Sequence, residues 1–140
     1  MWLPNSARTT VNAEARIQGS TALVGVLGDP VRHSLSPVMH NAALEAMGLD
    51  WAYLALPAPT AELGTVIQAL EAMGCRGLNV TIPHKQAVAP LCSELSPLAE
   101  RLGAVNTLVP RQGGGWLGTN TDVPPRRVWS YPMDNSETLR

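Results

Sequence analysis

The run Ala22-Leu23-Val24-Gly25-Val26-Leu27, stopped by Gly28-Asp29-Pro30, is short, continuously apolar and closed by turn residues. A strand with no polar position has no side left for water, so this run predicts a strand covered on both faces, as in a parallel sheet. The residues that follow fit that reading. Ser36-Pro37 offers a serine N-cap with proline at the first helical position. Val38, Met39, Ala42, Ala43, Ala46 and Met47 then recur at helical spacing as far as Gly48. The helical spacing of Met39, Met47 and Met73 predicts core positions for them. Residues 51–56 and 77–82 read as further strands and 60–73 as a helix between them, which repeats the strand and helix alternation of a βαβ unit. A short helix is expected after Pro83 and another over 97–102. The stretches 104–109 and 116–119, joined by Arg111-Gln112-Gly113-Gly114-Gly115, read as an antiparallel pair. The expected fold is α/β: a three-layer αβα domain with a mostly parallel sheet and one antiparallel strand. It spans 21–123, between a flexible leader over 1–20 and a disordered or aberrant tail over 124–140, neither of which has a hydrophobic period.

Composition narrows the function. Hydrophobic residues make up 45% of the 140 and charged residues 15%, enough for a core and too little charge for a solvated acidic or basic segment. A net charge of -1 comes without the clustered Lys and Arg that nucleic acid or an anionic membrane surface would require. A small molecule is the partner this leaves. No apolar run approaches the roughly 20 residues that span a bilayer, and the first 20 residues lack a secretory pattern, so a cytoplasmic protein is expected. Cys75 and Cys92 make neither a disulfide framework nor a metal set, and no further ligand joins His33, His40 and His84 at metal spacing. No metal site is expected.

Open α/β sheets bind ligands beyond the carboxyl ends of their strands, so polar residues there carry the functional information. Four segments qualify: Arg32-His33-Ser34-Leu35-Ser36-Pro37, Asn79-Val80-Thr81-Ile82-Pro83-His84-Lys85, Ala104-Val105-Asn106-Thr107 and Gly118-Thr119-Asn120-Thr121-Asp122. In this order and spacing they resemble the N-terminal domain of shikimate dehydrogenase, with its patterns S-x-S-P, N-V-T-x-P-x-K, G-A-x-N-T and N-T-D. The resemblance covers about 22–123. It implies an oxidoreductase of the shikimate pathway, which leads to chorismate and the aromatic amino acids, reducing 3-dehydroshikimate to shikimate with NADP. It also implies roles for single residues: Ser34 and Ser36 on the substrate carboxylate, Thr81, Asn106 and Asp122 on the ring hydroxyls, Asn79 supporting that wall, and Lys85 as proton carrier beside Asp122. A homodimer through this domain is allowed by the same resemblance.

The residue types suit that chemistry on their own terms. A carboxylated triol needs donors for its anion and donor-acceptor pairs for its alcohols, which short Ser, Thr and Asn side chains supply with little entropy loss. Oxidising a secondary alcohol also needs a group to take the hydroxyl proton, and a lysine beside an aspartate can do so. If Pro83 opens a helix, Lys85 falls in its first turn, where the positive end of the dipole disfavours an ammonium while Asp122 favours it. Each residue also has a plain structural use: Ser36 as a helix cap, Asn79 and Asn106 as ties for loop backbone, Lys85 as a solvated side chain and Asp122 as a turn former.

Gly113-Gly114-Gly115-Trp116-Leu117-Gly118 satisfies G-x-G-x-x-G. A dinucleotide fingerprint must open a helix, whereas these glycines lead into a strand, so they read as a hairpin turn and no cofactor-binding residue is assigned. The family continues after N-T-D into an NADP domain, which also contributes a late Tyr and Gln to the far side of the cleft; this chain has Pro124-Pro125-Arg126-Arg127 there. The expectation is a substrate-binding domain inactive alone. Two alternatives stay open: a non-catalytic module holding shikimate or quinate, and a fragment of a quinate/shikimate-type dehydrogenase.

Overall fold

The computed structural model describes residues 17–122, so most of the expected leader and the whole of the expected tail lie outside the described residues. The first strand, β1 (Ala22–Gly28), is followed by α1 (Ser36–Ala46), β2 (Trp51–Pro57), α2 (Leu63–Ala72) and β3 (Gly77–Val80). Then come β4 (Glu94–Leu95), α3 (Pro97–Leu102), β5 (Thr107–Pro110) and β6 (Trp116–Thr119). The strands form one six-stranded sheet in the order β2-β1-β3-β5-β6-β4. β1 pairs in parallel with β2 and β3, β4 pairs in parallel with β6, and β5 is antiparallel to both of its neighbours. The mostly parallel sheet with one reversed strand is the architecture the sequence led us to expect.

β1 is covered on both sides, as its unbroken apolar run requires. Leu27, Leu78, Val80, Leu108 and Trp116 face α2, whose Leu63, Ile67 and Leu70 close the larger core. The Trp116 indole is fully buried yet satisfied, donating to the Ile67 carbonyl at 3.1 Å. On the opposite face Val24, Val26, Val31 and Tyr53 pack with Leu44 of α1. Burying a side chain such as Leu27, with no exposed surface, stabilises the fold by about 1.5–3 kcal/mol.

Three local expectations are corrected, and one strand is added. Ser36 is the first helical residue and makes no cap bond, because a turn from Val31 brings the Ser34 hydroxyl back to accept from the Ser36 N–H at 3.1 Å. Met39, Met47 and Met73 are 64%, 67% and 73% exposed rather than core. In α1 it is Leu44, with Asn41 bonded to the Tyr53 backbone, that faces the sheet, which turns Met39 and Met47 away. No regular helix opens at Pro83: residues 82–88 run as turns into a 3-10 segment, Ala89–Leu91. The His84 ring is drawn into the core, and the His84 backbone N–H bonds three residues back to the Thr81 carbonyl. β4 went unseen in the sequence, since two residues carry no period; it is held by Ser93 and Ser96 N–H groups on the Trp116 and Gly118 carbonyls.

Candidate functional site

Reversal of β5 assembles the site. The carboxyl ends of β1 and β3 lie at one edge of the sheet, and because β5 runs the other way its amino end arrives at the same edge. Asn106 therefore sits just before β5 rather than at a strand's carboxyl end, and Thr119, which closes β6, and the residues up to Asp122 come up beside it. The four polar segments picked out in the sequence thus meet along that edge.

Asn106 is the most constrained of the seven candidate residues. It is 8% exposed. Its backbone N–H donates to the Thr119 carbonyl at 3.0 Å and its carbonyl accepts from the Val80 N–H at 2.8 Å. The side-chain Oδ1 accepts from the Thr107 hydroxyl and from the Thr121 N–H, both at 3.0 Å, and Nδ2 donates to Thr121 Oγ1 at 2.9 Å. With Oδ1 filled by two donors, the carboxamide can only present N–H on its other side. Asn120 stiffens the same turn, donating to the Ala104 carbonyl and accepting from the Asp122 N–H.

Asn79 stands next along the edge. Its Oδ1 accepts from the Tyr53 hydroxyl at 2.7 Å, and Nδ2 donates to Thr107 Oγ1 at 3.3 Å. Tyr53 belongs to β2 but its ring crosses β1 to reach Asn79, stacked on His40 with centroids 4.2 Å apart. Burial pushes the Tyr53 phenol up to about 12, against a smaller opposing effect of the nearby Ser36 hydroxyl. Thr81 is half-buried; its N–H donates to the Leu27 carbonyl at 2.9 Å, and a Cβ at Gly28 would lie 2.6 Å from its methyl. Only glycine at position 28 lets the Thr81 loop close onto the end of β1.

Lys85 and Asp122 form the exposed end of the edge. The ammonium meets Asp122 Oδ2 at 2.5 Å, with the two side chains 34% and 49% exposed. The Lys85 hydrogen bond, helped by the Asn106 carboxamide, holds the Asp122 carboxyl below the ordinary aspartate value. The Lys85 backbone is pinned by its carbonyl, which accepts from the Val105 N–H at 2.7 Å. Next to it His84 is fully buried, with Nε2 2.6 Å from the Ala58 carbonyl and Nδ1 without a partner. The carbonyl can only accept, so Nε2 carries the proton there. Since Lys85 lies in a turn, no helix dipole acts on it.

Sequence reasoning missed Tyr53, Thr107, Thr121 and His84 as parts of this arrangement. Thr107 and Thr121 lay inside quoted motifs, so their neighbours were a usable signal. Tyr53 and His84 gave none: an aromatic in a strand and a histidine before a lysine have no local signature of these contacts. Among the described residues no three His, Cys, Asp or Glu side chains gather where they could hold a metal, and no helix is long and apolar enough to cross a membrane.

The geometry agrees with an independent comparison: residues 26–108, more than half of the chain, match the model of the shikimate dehydrogenase substrate binding domain. The chain belongs to the shikimate dehydrogenase family. An NADP(+) shikimate dehydrogenase of Synechococcus sp. (strain JA-2-3B'a(2-13)) is 54% identical to it over 110 residues, which cover 79% of this chain and 38% of that one. One from Synechocystis sp. is 58% identical over 107 residues, covering 76% and 37%. Among solved structures, shikimate 5-dehydrogenase of Listeria monocytogenes in complex with shikimate and NAD superposes with a TM-score of 0.73 at 42% identity, over 89% of this chain and 41% of that one. The Thermus thermophilus enzyme in complex with shikimate gives 0.70 at 38% identity, over 80% and 42%. This shikimate dehydrogenase domain spans about two fifths of the length of the relatives it matches.

The relatives are named for a nicotinamide dinucleotide, and the glycine-rich stretch with the dinucleotide pattern does not fit one. Gly113–Gly115 lies in the turn between β5 and β6 and Trp116–Gly118 in β6 itself, so the stretch does not open a helix. The Gly115 N–H is already taken by the Glu71 carboxylate at 2.5 Å, which sets a negative charge where a pyrophosphate would have to lie. A Cβ at Gly115 would strike Ser93, so this glycine serves chain packing.

Proposed function

We propose that residues 21–123 supply the substrate half of a shikimate-binding cleft, and that this chain binds shikimate or 3-dehydroshikimate without turning it over by itself. The observation that carries the reading is the Asn106 carboxamide, buried, held by three side-chain hydrogen bonds and set beside the Lys85–Asp122 pair at the strand edge. Such a group is oriented before any ligand arrives, which is what selective recognition of a ring hydroxyl needs. In this reading Ser34 and Ser36 meet the carboxylate, and Asn79, Thr81 and Asn106 meet the hydroxyls. In the direction of reduction the Lys85 ammonium would give a proton to the ketone oxygen as hydride reaches the carbon, leaving the neutral amine, while Asp122 holds the group in place. Hydride transfer would need a dinucleotide site, which the Gly113–Gly118 stretch does not make. A binding-only role for this chain is favoured by that same misfit.

The test is a titration of the 15N-labelled chain with shikimate. Losing the far wall of the cleft removes about two to four hydrogen bonds at about 0.5–1.5 kcal/mol each, so a dissociation constant of about 1 mM or weaker is expected. Shift changes should centre on residues 34–36, 79–85, 106 and 122. Changes confined to other surfaces would overturn the reading, as would turnover with NADP in the absence of any other protein. We propose a homodimer and a cytoplasmic location as well, to be read from sedimentation velocity and cell fractionation.

A further inference from the structure

Tyr53, Asn79, Thr107 and Asn106 are joined in series, and the direction of each bond is fixed by chemistry. The Tyr53 hydroxyl donates to Asn79 Oδ1, so Asn79 turns its NH2 toward Thr107. Thr107 has a single hydroxyl proton. Because Asn79 meets Thr107 Oγ1 with an N–H, that proton is free to go to Asn106 Oδ1. Asn106 in turn offers N–H to Thr121 and toward the Asp122 carboxylate. Were the Asn79 amide reversed, its oxygen would compete for the Thr107 proton and Asn106 would lose a donor. The series runs from β2, across β3 and β5, to the Lys85–Asp122 pair.

We propose that Tyr53 is a positioning residue for the shikimate cleft: through Asn79 and Thr107 its hydroxyl secures the second of the two donors, beside the Thr121 N–H, that hold the Asn106 carboxamide in its facing, without touching the ligand itself. The role rests on the binding function proposed above, but the relay is present in the free chain. The ring is suited to the task, being held by the His40 stack and by two Asn41 bonds of 2.8 Å to the Tyr53 backbone. A phenylalanine would keep all of these and lose only the hydroxyl.

The experiment follows the side-chain NH2 resonances of Asn79 and Asn106 in the 15N-labelled 140-residue chain, with and without shikimate. In Tyr53→Phe both pairs of resonances are expected to move, although Asn106 does not touch Tyr53, and shikimate affinity is expected to fall about three- to tenfold, the worth of one hydrogen bond. Thr107→Val cuts the series in the middle: Asn106 should move while the Tyr53–Asn79 contact persists. The double variant should bind no more weakly than the weaker single variant. Should Tyr53→Phe fail to fold, Thr107→Val with unmoved Asn106 resonances overturns the relay by itself; Tyr53→Phe that shifts Asn79 and leaves Asn106 unchanged does the same. If the unmodified chain ignores shikimate, the binding function fails, and the relay is still decided by the amide resonances of the free protein.

Discussion

Asn106 and Lys85 stand on the same edge of the sheet and belong to opposite physical regimes. Asn106 is buried, and its backbone and side chain together make five hydrogen bonds within the fold. Lys85 is held at its backbone but carries its ammonium out to a half-exposed carboxylate. The difference suits the two tasks proposed for them. A group that recognises a hydroxyl gains from being fixed in advance, because the fold then bears the cost of ordering it. A group that moves protons must exchange them with solvent or ligand, and an exposed pair with little desolvation can do so.

The largest test of that contrast is Asn106→Ala. It leaves the Thr121 N–H and the Thr107 and Thr121 hydroxyls without their partner, so thermal or denaturant unfolding should show a loss of about 2–3 kcal/mol, with shikimate binding abolished. An unchanged stability would mean that the network is not what fixes this edge. Next is Gly28→Ala, whose added methyl would meet Thr81 Cγ2 at 2.6 Å; overpacking of this kind costs about 1–3 kcal/mol and should displace the Thr81 loop as seen in its amide shifts. Lys85→Met should be nearly silent in stability, within about 0.5 kcal/mol as for other exposed pairs. A large loss would show the pair to be structural after all.

The smallest effect is the pH response of Asp122. Its carboxyl titrates below the usual 3.8 because the folded state favours the charged form. The contribution of the Lys85 contact is therefore present above pH 3.8 and lost as the pH falls through the lower folded value. The Asp122 side-chain carboxyl shift should show a midpoint below 3.8 in the unmodified chain. In Lys85→Met the midpoint should rise toward that value; a midpoint that stays put would assign the effect to Asn106 alone.

Most of the sheet was legible in the chain because burial leaves a mark at every residue of a strand. The continuous apolar run of β1 gave both its position and its two-sided cover, and the glycines at 113–115 gave the β5–β6 turn. Helix α1 was legible in extent and misleading in orientation: its apolar spacing suggested a core face, while Leu44 and the Asn41 clamp turn Val38 and Met39 outward, 74% and 64% exposed. Pro83 misled in the other direction, since proline permits a first helical turn without requiring one, and the His84 ring decides for the core instead.

By itself, then, the sequence determined an α/β sheet, the four polar segments at strand ends, and through their spacing the family to which they belong. These follow from local patterns, burial period and motif order, which survive in one dimension. Which residues touch was decided only by the tertiary structure. The reversal of β5 brings Asn106 to the edge that holds Lys85, β6 delivers Asp122 to the ammonium, and Tyr53 reaches Asn79 from two strands away. Contacts between residues 26 to 37 positions apart depend on strand order and direction, and no short window of sequence contains either.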